Sequence, residues 1–439
     1  MEPDWIEIAA SHGRSFIGYA ARPAQQGAPG IVLLHDVFGI DEHVKALARR
    51  YAEEGYLVVV PDLYWRLVAA DAADAAGAPD AGRDSGGPGG RDDAGGGGGG
   101  GRGRGIAPAT ARDYERRLDV ELAIDDINAT FEALRNEAAH AGKVGVLGYG
   151  LGGKLAFLAA ARTDVDCAVA YSGPGFESYL REARAVRCPL ALHVGRRDDS
   201  QPPKSRHQIA SAFEYQQGVV VYTYGSSERF NVPGPGYDHN AASLAYSRSL
   251  ALLKKTMGPM FAIERVWKRH AYHKYVTRDF DALMDTMVSD PYFNDVPTMT
   301  GGVGRESLER FYSEHFINSM PADAQMLPVS RTVGVDRLVD EFVMCCTHDL
   351  EMHWMLPGVA PTGRYFEVAM LAVVRFRGER IDSVHAYWDQ ASVLVQIGML
   401  DPAGLPVTGV ESARRVLDFT RGNGTLMPGL SGGGLDRPA

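Results

Sequence analysis

The chain has 439 residues, 45% hydrophobic and 23% charged, with a formal net charge of −10 at pH 7. At roughly 150 residues per domain this length predicts two or three domains, and the patterns below divide it into two. An acidic balance without a block of consecutive Lys or Arg argues against nucleic acid and anionic membrane surfaces as partners, and no run approaches the ~18 apolar residues of a membrane span.

Residues 1–10 carry Glu2, Asp4 and Glu7 and lack the basic-then-apolar pattern of a signal peptide. Ile31-Val32-Leu33-Leu34 runs into His35-Asp36, and Tyr56-Leu57-Val58-Val59-Val60 runs into Pro61-Asp62; short apolar runs of this kind read as buried parallel strands. Between them, residues 42–54 place Val44, Leu47, Ala48 and Tyr51 at helical spacing. From about 69 to 106 the chain is Ala, Asp, Gly and Arg, with an unbroken glycine run from Gly95 to Gly101; this predicts a disordered, dispensable surface insertion. Further strands follow at Lys143-Val144-Gly145-Val146-Leu147 and Leu190-Ala191-Leu192-His193-Val194, each entering a glycine. Strands alternating with helices predict a parallel sheet covered on both faces over residues 1–256. Beyond Lys255 the order changes: a long helix over 265–288, another over 306–316, then strands across 335–389, which predicts a separate α+β domain over 262–405 and a tail over 406–439. Cys167, Cys188, Cys345 and Cys346 are too few and too irregularly spaced for a disulfide framework, so a reducing cytoplasm is expected; adjacent Cys345 and Cys346 should point to opposite faces of a strand as core thiols.

Gly148-Tyr149-Gly150-Leu151-Gly152-Gly153 joins a strand to an apolar helix, the context of a nucleophile elbow, where small residues permit a strained turn. With His35-Asp36-Val37-Phe38-Gly39, Pro61-Asp62-Leu63-Tyr64 and Phe230-Asn231-Val232-Pro233, this segment resembles the dienelactone hydrolases, α/β-hydrolases whose elbow reads Gly-x-Cys-x-Gly-Gly. The resemblance puts the nucleophile at Gly150, the acid at Asp198, the histidine near Glu228 in Ser227-Glu228-Arg229-Phe230, and the oxyanion-hole N–H groups on Val37 and Leu151. It also puts Asp36 where the family has Glu. Glycine offers neither thiol nor hydroxyl, so covalent catalysis at position 150 is lost, although the backbone hole could still bind a carboxylate or steady an enolate. Tyr149, or His35 with Asp36, are the substitutes to consider. Gly148-x-Gly150-x-x-Gly153 matches a dinucleotide fingerprint, but its surroundings fit the hydrolase better and no nucleotide is expected.

The C-terminal part resembles the SnoaL-like polyketide cyclases of the nuclear-transport-factor-2-like superfamily through Asp290-Pro291-Tyr292-Phe293, Trp388-Asp389-Gln390 and Leu394-Val395-Gln396-Ile397-Gly398. That resemblance implies a cone-shaped curved sheet around a cavity, an acid/base role for Asp389 on a carbon-carbon bond, and dimerisation through the sheet. By the strand period His385, Tyr387 and Asp389 share one face and Val384, Ala386 and Trp388 the other. A strand over 343–354 would carry His348 on one side and Glu351 with His353 on the other, and no third ligand completes a metal site, so neither metal nor cofactor is expected. These readings favour a cofactor-independent cyclase or isomerase acting on a small molecule at Asp389, aided by His385, His348 or His353. A lactone or ester hydrolase with altered catalytic residues and a non-catalytic ligand-binding scaffold are the alternatives.

Overall fold

The computed structural model describes residues 4–10, 13–77, 106–171, 173, 175–197, 203–227, 229–421 and 426. The chain divides into two compact units, Met1–Met260 and Phe261–Ala439. Among the described residues no helix is long and apolar enough to cross a membrane.

The first unit is built on eight strands: β1 (Asp4–Ala9), β2 (Ser15–Ala21), β3 (Ala28–Leu34), β4 (Leu57–Pro61), β5 (His140–Tyr149), β6 (Cys167–Tyr171), β7 (Leu190–Arg197) and β8 (Val219–Ser227). Their order is β1-β2-β4-β3-β5-β6-β7-β8, with β1 and β2 antiparallel and the strands from β4 onward parallel. The helices are α1 (Glu42–Glu53), α2 (Trp65–Gly77), α3 (Pro108–Arg117), α4 (Val120–Arg135), α5 (Leu151–Arg162), α6 (Pro203–Phe213) and α7 (His239–Met257). Alternate strand residues serve opposite cores: Val32, Leu34, Val59 and Val146 pack in one cluster with Phe131 of α4 and Leu155 of α5. On α1 and α7, Tyr51 lies over Tyr246 at 5.3 Å, and just beyond α1 the buried Glu54 pairs with Lys254 at 2.9 Å. This is the helix-covered parallel sheet expected from the alternating runs, and it agrees with the α/β-hydrolase fold that the resemblance implies.

The insertion begins later than its composition suggests. Residues 69–77 belong to α2, an Ala-rich segment of high helix propensity anchored where Trp65 Nε1 and the Arg66 guanidinium both donate to Asp126, at 2.9 and 2.6 Å. Asp71 accepts from Tyr114 and Arg117 of α3, at 2.9 and 2.7 Å. The remainder of the insertion, 78–105, lies outside the described residues.

The second unit has a six-stranded sheet formed by β9 (Met287–Asp295), β10 (Thr300–Val303), β11 (Gln325–Val333), β12 (Arg337–Thr347), β13 (Tyr365–Arg377) and β14 (Arg380–Trp388), in the order β10-β9-β14-β13-β12-β11. All its pairings are antiparallel except β14 with β9. The single long helix expected over 265–288 is instead α8 (Ile263–Tyr272), a π-helical turn His273–Thr277, α9 (Phe280–Met284) and the start of β9. Arg278 in the left-handed region (φ 52°) breaks the helix, and Asp279 starts the next one by accepting from Ala282 N–H at 3.1 Å. The second helix is α10 (Arg305–Arg310) followed by a π-helical turn, Phe311–Phe316. After α11 (Gln390–Gln396), the expected tail contains α12 (Glu411–Leu417), whose buried Ala413 packs with Val343 and Cys345. Cys346 belongs to the opposite, main core of the sheet.

Candidate active site at the strand-to-helix elbow

Strand β5 enters α5 through Gly150, at φ 56° and ψ −114°, a conformation that L side chains rarely adopt. The following glycines are set by close packing: a Cβ on Gly152 would overlap the Leu34 carbonyl and one on Gly153 the Tyr171 carbonyl. The elbow geometry is thus retained without its nucleophile.

Asp36 takes the vacated place. A Cβ at position 150 would lie 2.8 Å from the Asp36 Cγ and closer still to its Oδ1. The same oxygen accepts from the Leu151 N–H at 3.3 Å. The loop behind Asp36 is fixed by His35, which is fully buried. Its Nε2 accepts from Leu63 N–H at 3.2 Å, which leaves Nδ1 as the donor to the Asp36 carbonyl at 2.8 Å. Gly39 N–H donates to that carbonyl as well, at 3.1 Å, and Tyr64 Oη to the Val37 carbonyl at 3.2 Å. Both ring nitrogens of His35 are engaged by the backbone, so His35 positions Asp36 and is no base for a substrate. The oxyanion-hole donor expected on Leu151 does bind a carboxylate, and it is the chain's own.

Around this point lies a pocket of about 230 Å³ whose polar wall is formed by Asp36, Arg112, Glu115, Arg229 and Asn231. Burial pushes the Glu115 carboxyl above its ordinary value; Lys154 opposes the shift and the Asp36 charge adds to it. His43, at the start of α1, is held below the usual imidazole value by burial, with Asp41 and Asp36 pulling up and Arg229 pulling down. Its Nε2 is buried and has no partner among the described residues. Tyr149, considered above as a substitute nucleophile, is unsuited: it is buried against Tyr171 at 4.5 Å, and burial drives its phenol well above the ordinary value. Tyr171 is fixed from behind by a hydrogen bond to Ser249 (3.0 Å), which meets His193 Nε2 at 3.0 Å. Asp198 and Glu228 lie outside the described residues. The sequence pointed to Gly150, Asp36, Val37 and Leu151 but not to His43, Arg112, Glu115 and Arg229, although His43 lies in the helix expected over 42–54 and Arg229 stands next to Phe230-Asn231.

The residues singled out in the second unit are not brought together. Asp389 is exposed and caps α11, accepting from Ser392 N–H at 3.2 Å, so its expected place inside an apolar cavity is corrected. Val384, Ala386 and Trp388 face the core, whereas His385 lies half-buried on the other face, edge-on to Tyr292 at 5.3 Å. β12 ends at Thr347, so His348 and His353 stand beyond the strand rather than on it. His348 is buried with Nδ1 next to Thr362 Oγ1 (3.2 Å), and His353 is exposed beside Glu351 at 3.6 Å. Among the described residues no group of His, Cys, Asp and Glu is placed to hold a metal ion.

A parallel sheet feeding a positive-φ elbow at the head of α5, with a pocket at that turn, defines an α/β-hydrolase. The model of the dienelactone hydrolase family matches residues 16–257, and the chain belongs to that family. Carboxymethylenebutenolidase 1 of Cupriavidus pinatubonensis is 28% identical over 260 residues, covering 59% of this chain and 100% of the relative. A carboxymethylenebutenolidase of Pseudomonas putida is 30% identical over 261 residues, covering 58% and 97%. A crystal structure of a putative dienelactone hydrolase from Klebsiella pneumoniae subsp. pneumoniae aligns with 58% of this chain and all of its own, at 21% identity and a TM-score of 0.45. These hydrolase relatives overturn the cyclase or isomerase expectation, which had rested on Asp389.

Proposed function

We propose that the first unit hydrolyses a small lactone or ester by activating water directly, without a covalent acyl-enzyme. One observation carries this reading: the Asp36 carboxylate occupies the space of the missing nucleophile and contacts the Leu151 N–H. At 3.3 Å that bond is long, and a substrate carbonyl oxygen displaces it to use the same donor, leaving Asp36 free to take a proton from water. Glu115, favoured in its protonated form by burial, supplies the proton to the leaving oxygen. Arg112 and Arg229 favour a substrate with its own carboxylate, and the names of the relatives make a carboxylated butenolide the first compound to try. Pre-steady-state hydrolysis of p-nitrophenyl acetate tests the route. Linear product release from the first turnover is expected; a stoichiometric burst followed by slow turnover would reveal an acyl-enzyme and refute it.

A further inference from the structure

The second unit contains just two lysines, Lys268 and Lys274. Lys268 is exposed and paired with Glu264 at 2.8 Å. Lys274 is buried, and among the described residues no carboxylate comes within ion-pair distance of it. Its Nζ instead faces four rings, at 4.2 Å from the centroid of Phe316, 4.9 Å from Phe293, 5.2 Å from Tyr275 and 5.7 Å from Tyr312.

Two π-helical turns build this enclosure: His273–Thr277 carries Lys274 and Tyr275, and Phe311–Phe316 carries Tyr312 and Phe316. Such turns are rare and concentrate at functional sites, because they trade helix regularity for the placement of particular side chains. At the end of β9 stands Asp295, which is fully buried. Its Oδ1 accepts from Trp388 Nε1–H at 2.7 Å and Thr298 Oγ1–H at 3.3 Å, while its Oδ2 has no partner among the described residues, nor has the Tyr312 hydroxyl. Unpaired buried polar atoms beside a buried amine weaken a fold, and a core whose only task is packing has no need of them. Burial brings the Lys274 ammonium down to about 7, with Asp295 opposing, and pushes the Asp295 carboxyl up to about 6. The Asp295 charge is thus felt at the amine, although the two groups stand beyond ion-pair distance.

We propose that Lys274 is the nucleophilic amine of a second site, one that takes a small apolar aldehyde or ketone as an imine, with Asp295 moving the protons. The neutral amine attacks the carbonyl carbon, the carbon-oxygen π pair moves to oxygen, and that oxygen takes the proton of the Asp295 acid. The nitrogen returns one proton to the carboxylate, giving a neutral carbinolamine. Its hydroxyl then leaves as water with the Asp295 proton, and the nitrogen's remaining proton goes back to Asp295. The sum is aldehyde plus amine giving imine plus water, without oxidant or reductant. A desolvated lysine in an apolar enclosure is the environment in which this chemistry runs at neutral pH, and the aromatic walls select an apolar carbonyl compound.

Reductive trapping tests this on the full chain. The protein is incubated at pH 7 with propionaldehyde and sodium cyanoborohydride, and the modified lysines are mapped by peptide mass spectrometry. Propylation of Lys274 is expected to exceed that of exposed Lys268 by about tenfold or more. Asp295→Asn should slow trapping at Lys274 by about tenfold while leaving Lys268 unchanged. Because the wild-type map is itself the primary readout, a poorly folding variant does not remove the test. Labelling of Lys274 equal to or below that of Lys268 would overturn the proposal, and an unchanged rate in a folded Asp295→Asn would remove Asp295 from it.

Discussion

Gly150→Ala measures whether the Asp36 carboxylate really fills the nucleophile's place. The substitution forces a Cβ into the positive-φ position, which costs about 1–2 kcal/mol. The new methyl would lie 2.8 Å from the Asp36 Cγ and overlap its Oδ1, so the carboxylate must rotate away and release the Leu151 N–H. Losing that hydrogen bond adds about 1 kcal/mol, giving a total of about 2–3 kcal/mol. For a unit of this size the expected fall in Tm is about 4–12 °C, at roughly 2–4 °C per kcal/mol. In an Asp36→Ala background there is no carboxylate to displace, so the same substitution should cost only the backbone part, about 1–2 kcal/mol. Urea unfolding of the four proteins, followed on the transition of the first unit, closes the cycle. A coupling of about 1 kcal/mol is expected, and additivity to within ~0.3–0.5 kcal/mol would refute the placement of Asp36.

Iodoacetamide at pH 8 should leave Cys167 and Cys188 unmodified in the folded chain, because burial raises their thiols to about 12 and about 11; peptide mapping reads this directly. A fluorophosphonate should not label residues 145–155, and stable labelling there would show a nucleophile that the elbow lacks. Glu115→Gln should lower hydrolytic turnover by about 10²-fold or more and abolish the alkaline limb of the kcat/KM profile, which in the parent falls above the ordinary carboxyl range as Glu115 loses its raised-pKa proton. Lys274→Met should stabilise the second unit, more at pH 6.5 than at pH 10. The native amine titrates near 7 against 10.5 in the free chain, so the cost of burying it grows as pH falls from 10.5 towards 7 and is complete below.

Four of the eight strands of the first unit, β3, β4, β5 and β7, were legible because they are apolar runs that lead into Asp or Gly; β1, β2, β6 and β8 were not among the strands expected. The elbow was legible because its glycines are locally demanded by turn and packing. The occupancy of the elbow was not. Asp36 and Leu151 lie 115 residues apart, and only the packing of β3 beside β5 brings one carboxylate to the turn. Glu115 and Arg112 were hidden for a similar reason, since they sit on α3, just past a stretch whose composition gives no structural signal. In the second unit the sequence held more than was taken from it. Asp389-Gln390-Ala391-Ser392 has the form of a helix start, and an apolar Val384, Ala386 and Trp388 face leaves His385 and Tyr387 on the side away from the core. The break in the helix over 265–288 rests on Arg278 in a left-handed conformation, for which side-chain periodicity carries no mark. Lys274 and Asp295 stand on different elements, and neither has a local pattern to announce its burial.

The most direct test of the hydrolytic reading is the kcat/KM of Asp36→Asn for a carboxylated butenolide, measured beside the parent with the fold verified by circular dichroism. Asn preserves the size of the side chain and removes the base, so hydrolysis should fall by about 10²- to 10⁴-fold. A parent that hydrolyses the lactone while Asp36→Asn keeps its rate to within a few-fold would contradict the role assigned to the carboxylate at the elbow.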